Sequence, residues 1–182
     1  MSTAAPPSAR RTELLEAAYS YVLTHGLTDL SLRPLAAAIG SSPRVLLYLF
    51  GSKDGLVREL LARARTDELT LLSTVPGDTV DQVWSWFADP SHRSLLVLWV
   101  EAYARSLLDP TGPWAGFAQS TVDDWLAVLT SAYRGKAERT LVLAVLRGLL
   151  LDLLATGDVA RTTAALHTFT RTLGDSGLPG RA

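Results

Sequence analysis

The 182-residue sequence predicts an all-α protein of about nine helices. Three observations predict it. Apolar residues recur with a helical period in nearly every segment, strand-like alternation is absent, and turn signals arrive at helix-length intervals. Apolar residues make up 48% of the chain and charged residues 19%, which supplies a core and excludes global disorder.

The elements follow in order. Residues 9–25 form an amphipathic helix with Leu14, Leu15, Ala18, Tyr19, Val22 and Leu23 on one face, closed by Gly26. A short helix at about 31–38 takes Ser31 as its N-cap and ends at Gly40. Ser42 and Pro43 open another short helix to about Leu49, serine at the cap and proline at the first helical position. Gly51-Ser52-Lys53-Asp54 starts a longer helix that runs to about Ser73. Val75-Pro76-Gly77-Asp78 is a break, after which helices are expected at 79–88, 91–108, 113–133, 137–156 and 158–173. The glycine-bearing tail from Gly174 is expected to fray.

Charge is uneven along the chain. Residues 10–65 hold eight basic and five acidic side chains, net +3, whereas the remainder holds nine and thirteen, net −4. A mildly basic head on an acidic body orients a protein toward a polyanion. The chain has no cysteine, which removes disulfides, thiolate metal sites and cysteine nucleophiles. His25, His92 and His167 lie far apart without ligand spacing, so no metal and no cofactor is expected. Gly135-Lys136 lacks the preceding glycine of a phosphate-cradling loop. Asp123-Asp124 and Asp67-Glu68 are adjacent pairs that diverge on a helix and read as solvated faces. No reactive cluster suggests an enzyme. The start, Met1 to Ser8, has no apolar stretch like a signal sequence, and the apolar run 141–154 is broken by Arg147 and Asp152. The expectation is a soluble, cytoplasmic protein with no membrane partner.

The informative stretch is Gly26 to Leu60. Two short helices meet at a tight turn around Gly40. Ala36 and Ala37 are small enough for a close crossing, while Leu35, Ile39, Leu46 and Phe50 supply a shared core. This is helix-turn-helix geometry, in which the first helix supports and the second enters a major groove. Ser41, Ser42 and Arg44 are donors near the start of the second helix, with Tyr48 one turn on.

Over about residues 10–60 the sequence resembles the TetR family of bacterial one-component regulators. Gly26 ends the first helix, Ser31 takes the place usually held by threonine, and Leu35-Ala36 and Ile39-Gly40 follow at family spacing. Ser42-Pro43-Arg44 opens the recognition helix, and Tyr48-Leu49-Phe50-Gly51-Ser52-Lys53 is similar to the family's aromatic-phenylalanine-x-serine-lysine signature. Leu49 departs from the histidine common there, which removes one phosphate contact. Val45 and Leu47 leave few polar readers, and the chain contains no asparagine for bidentate adenine recognition. Arg44 is the candidate for guanine readout or a phosphate contact. Ser31, Ser42, Pro43, Tyr48 and Lys53 complete the DNA-binding set, the hydroxyls and the lysine toward phosphates. Tyr48 is alternatively a packing residue, and Arg33, Arg10 and Arg11 are read as solvated or peripheral.

The resemblance implies an N-terminal helix-turn-helix domain, residues 1–52, and a helical effector-binding and dimerisation domain, residues 53–182. All five tryptophans lie between residues 79 and 133, and Trp84, Phe87, Trp99, Tyr103, Phe117 and Trp125 are candidate effector-binding residues. Such rings either enclose a cavity for a flat, apolar ligand or fill a small core; the resemblance implies the cavity. Gln119, Arg105, Arg147 and Asp152 are candidate polar anchors.

The segment 141–154 is apolar nearly all round, implying burial on two sides, in a monomer's centre or against a partner. Ala144 and Gly148 allow close helix approach. The candidate dimer interface is Leu141, Ala144, Val145, Gly148, Leu149, Ala160 and Ala164, forming a four-helix bundle about a two-fold axis. The expected function is a homodimeric repressor that binds a palindromic double-stranded DNA operator and is released by a small apolar or aromatic effector. The alternative is a helical small-molecule-binding and dimerisation module without operator binding.

Overall fold

The computed structural model describes residues 7–27, 29–74, 80–130 and 132–175. Among them are nine α-helices and no strand: α1 (Pro7–His25), α2 (Leu32–Ala38), α3 (Pro43–Phe50), α4 (Lys53–Thr74), α5 (Val80–Ala88), α6 (Arg93–Leu108), α7 (Phe117–Val128), α8 (Lys136–Thr156) and α9 (Val159–Asp175). The expected break at 75–78 and most of the tail lie outside the described residues.

Helix spacing explains the burial. On α1, Leu14, Ala18, Tyr19 and Val22 are buried, one to two turns apart on a single face. The helix stops because Gly26 takes φ +77°, its N–H still reaching the Val22 carbonyl at 2.8 Å. On α8, Val142, Leu143, Leu146, Leu150 and Leu153 are buried at the same kind of spacing. Gly157 ends that helix at φ +70°.

Two elements differ from their expected bounds. The sequence predicts α6 from 91, but it begins at Arg93, because a 3-10 turn at Pro90–His92 precedes it. Asp89 holds that turn, its Oδ1 accepting from the Ser91 N–H at 2.8 Å and the Ser91 hydroxyl at 2.7 Å. These bonds favour the charged carboxylate and keep its pKa below the ordinary value. α7 was expected over 113–133 but spans only Phe117–Val128. Pro113 to Gly116 form turns, with the Ala115 N–H on the Gly112 carbonyl at 3.2 Å and Gly116 at φ +76°. A left-handed glycine there separates Trp114 from the helix.

The chain forms two compact units that do not follow a single cut in sequence. The first takes residues 1–68 and 94–118; the second takes 69–93 and 119–182. In the first, the core gathers Leu14, Leu35, Leu46 and Leu60 with Leu98, Ala102, Trp114 and Phe117. Within this unit α6 also makes a polar contact to the chain after α1. The Leu27 N–H donates to both carboxylate oxygens of Glu101, at 3.1 and 2.9 Å. In the second, α5, α8 and α9 pack together, and the Trp84 indole N–H donates to the Thr163 hydroxyl at 2.8 Å. Among the described residues no helix is long and apolar enough to cross a membrane, and no group of three metal-ligating side chains assembles.

Candidate nucleic-acid interface

The turn between α2 and α3 is built by backbone bonds that close the end of α2. The Ser41 N–H donates to the Ala36 carbonyl at 2.8 Å and the Gly40 N–H to Ala37 at 3.4 Å. With Gly40 at φ +64°, this is a Schellman C-cap. Ser31 stands at the N-cap of α2 in extended conformation, but its side chain makes no cap bond. Ser42 does cap α3: its Oγ accepts from the Val45 N–H at 3.3 Å, and Pro43 sits at the first helical position.

The exit from α3 explains the Phe50-Gly51-Ser52-Lys53 run. Gly51 takes φ +76° as the C-cap, its N–H bonded to the Leu47 carbonyl at 2.9 Å. Ser52 then accepts from the Gly55 N–H at 2.9 Å and so caps α4. Gly55 is a residue that sequence reasoning missed. A Cβ there would lie 2.1 Å from the Phe50 carbonyl oxygen, so only glycine lets α4 start this close to α3. The available signal was a glycine in the first turn of an otherwise good helix.

On α3, Leu46 and Phe50 are buried and the opposite arc is open. Around that arc, at 100° per residue, the order is Leu47, Arg44, Tyr48, Val45. Arg44 is exposed, and Tyr48 is 81% exposed, which decides against a packing role for its ring. Ser31 and Lys53 are exposed as well, while Ser42 and Pro43 are half-buried. From Leu30 to Lys53 the chain carries Arg33, Arg44 and Lys53 and no acid. Three other head cations are engaged. Arg10 pairs with Glu13 at 2.7 Å, and Arg11 pairs with Glu59 at 2.7 Å while lying 5.2 Å from the Phe50 ring centroid. Arg63 pairs with Glu16 at 2.8 Å and with Asp67, and covers the Tyr19 ring at 4.9 Å. Burial, with Asp67 beside it, pushes the Tyr19 phenol above its ordinary range. Arg11–Glu59 and Arg63–Glu16 tie α1 to α4.

The aromatic candidates divide between the two units. Phe87 lies between Trp84 and Trp125 in the second unit, with ring centroids 6.4 and 5.6 Å away, and all three are buried. Trp99, Tyr103 and Phe117 belong to the first unit. Trp99 and Tyr103 are half-buried with centroids 5.2 Å apart, and Phe117 sits in the core. Of the proposed anchors, Gln119 donates to Asp123 at 3.1 Å, and Asp152 holds Arg161 through two bonds of 2.7 and 2.6 Å.

The dimer candidates on α8 lie opposite its buried face. Leu141 is 48% exposed, Ala144 and Gly148 are exposed, and Val145 and Leu149 are half-buried. On α9, Ala160 and Ala164 are exposed one turn apart. Leu151, 51% exposed, extends the same apolar surface and was not among the candidates.

Among the described residues, α2, the Schellman turn at Gly40 and the exposed α3 carrying Arg44 form a helix-turn-helix. Residues 14–60 match the family model described as bacterial regulatory proteins, tetR family, so this segment is similar to the N-terminal segment of that family. The fold is similar to those of solved TetR-family regulators. The multidrug binding protein EbrR, complexed with malachite green, is similar with a TM-score of 0.68 and 24% identity over 89% of this chain and 96% of that one. A TetR transcription regulator from Haloarcula marismortui ATCC 43049 gives 0.69 and 15% over 90% and 96%. A transcriptional regulator from Rhodococcus sp. Rha1 gives 0.63 and 22% over 81% and 84%. No curated protein sequence matches the chain.

Proposed function

We propose that the chain is a repressor that binds a palindromic DNA operator as a homodimer through α3 and is released by a small apolar or aromatic effector. The observation that carries this reading is the exposed arc of α3, with Arg44 and Tyr48 facing away from the core on a surface free of acids between Leu30 and Lys53. Arg44 reads a guanine edge. Ser31, Ser42, Tyr48 and Lys53 contact phosphates. The Ser42 oxygen already accepts the Val45 N–H, which leaves its O–H for a phosphate oxygen.

The reading is tested by selecting from a random duplex library, with Arg44→Ala and Lys53→Ala in parallel. An enriched palindrome is expected. Arg44→Ala should weaken it by about 1–3 kcal/mol and relax one position. Lys53→Ala should weaken all sequences alike and lower the salt slope by about 1. Absence of any enriched sequence would favour a ligand-binding module without operator binding.

The homodimer is supported by the apolar outer face of α8 with Ala160 and Ala164 of α9. Asp152 is paired with Arg161 beside it, and Arg161 also reaches Asp158 at 3.4 Å, so the charges at that edge are already engaged with one another. A two-fold axis would set two α3 helices about 34–36 Å apart, one helical turn of DNA.

The effector part is supported by the aromatic residues, and by the likeness to EbrR, a multidrug binding protein solved in complex with imidazole and with malachite green. Trp99 and Tyr103 share one face of α6, with Glu101, which holds the Leu27 N–H, on the opposite side, so a ligand that shifts α6 as a body would also shift that contact. α4, which starts at Lys53, is the second lever. Malachite green serves as the probe. Tyr103→Ala should alter its release of DNA while operator affinity stays nearly intact; equal loss of both would remove Tyr103 from the effector site.

A further inference from the structure

We propose that Val45 and Leu47 read thymine methyl groups, so that this head recognises its operator in part by apolar contact. The inference rests on the reading of α3 as the DNA-facing helix and names what that helix reads.

Four side chains occupy the exposed arc of α3, and two of them are aliphatic. Val45 is 38% exposed and Leu47 42%, although Leu46, Leu49 and Phe50 of the same helix are drawn into or against the core. The order around the helix places Leu47 on one side of Arg44 and Tyr48, and Val45 on the other. A helix that reads bases by hydrogen bonds alone would carry amides or hydroxyls at these flanks. Here the chain contains no asparagine, α3 contains no glutamine, and its side-chain donors are Arg44 and Tyr48. Base pairs present one apolar group in the major groove, the C5-methyl of thymine. It is the partner that two flanking aliphatic side chains can use.

Their positions are fixed. The Ser42 cap bond lands on the Val45 N–H, and β-branching restricts the Val45 rotamer. The Leu47 carbonyl accepts the Gly51 N–H that closes the helix. Charge complementarity supplies the rest of the fit, since the surrounding surface is basic and free of acids from Leu30 to Lys53. The half-site is therefore expected to carry thymines beside the guanine read by Arg44.

The test replaces each thymine of the selected operator by deoxyuridine, which removes the methyl and keeps every hydrogen bond. With the unaltered full chain, at least one thymine per half-site should lose about fourfold in affinity on replacement, or about 0.8 kcal/mol for one methyl at about 1.4 kcal/mol per tenfold. Val45→Ala or Leu47→Ala should bind the thymine and deoxyuridine duplexes equally at that position, whereas Arg44→Ala should keep the difference. Both residues are exposed, and unchanged helix content and melting temperature would confirm that the variants fold. If an operator is selected but no deoxyuridine replacement matters, the methyl contact is overturned and the repressor reading stands. If the sensitivity persists in the Val45→Ala, Leu47→Ala double variant, the methyl acts through DNA shape and the proposal falls. If no operator is selected, both readings fall together.

Discussion

Gly148→Glu is expected to leave the helix content of the chain intact, convert it to a monomer and lower operator affinity by at least a hundredfold. Gly148 is exposed in the middle of α8, and a Cβ added there meets nothing within 4 Å. In a monomer the substitution should even stabilise the helix, since glycine in a helix interior costs roughly 0.5–1 kcal/mol relative to better formers. In a two-fold dimer the same change places two carboxylates in an apolar contact, each an unpaired charge costing several kcal/mol. Losing the second half-site removes an avidity of about 10² to 10⁴. Light scattering reads the mass and a duplex titration reads the affinity. A variant that remains dimeric would place the interface elsewhere.

Leu46→Ala should destabilise the first unit by about 3 kcal/mol, within the usual 2–5 for a buried leucine. Leu46 is 1% exposed and lies in the core with Leu14, Leu35 and Leu60. For a unit of this size that lowers the melting temperature by about 15 °C. α3 loses its deepest anchor, so operator binding should weaken while the dimer persists. Tyr48→Ala, on the exposed arc of the same short helix, should change the melting temperature little. The two substitutions separate what holds α3 in place from what α3 presents.

Much of this architecture is legible in periodicity and caps. Residues 79–88 and 137–156 were expected as helices, and α5 and α8 occupy 80–88 and 136–156. The exposed positions of Arg44 and Tyr48 follow from the spacing of Leu46 and Phe50 alone. What stays illegible is decided at a distance. Pro113 reads as a helix start, yet the chain spends Trp114 in the core and begins α7 after a left-handed Gly116. Trp99 and Trp125 look equivalent as aromatics within helices, and nothing local assigns them to different units. Glu101 is a single acid on an apolar helix whose partner lies 74 residues away, a signal too sparse to assign from sequence.

That separation has a temporal side. The core of the first unit closes only when Leu98, Ala102, Trp114 and Phe117 join the residues from α1 to α4. A ribosome adding roughly 5–20 residues per second needs about 3–12 s to travel from residue 60 to residue 118. During that interval the emerged helix-turn-helix lacks both the Glu101 clasp and part of its apolar cover. An unfinished or truncated polypeptide therefore carries the exposed face of α3 without the scaffold that steadies it, and the helix-turn-helix is completed only by synthesis well past its own last residue.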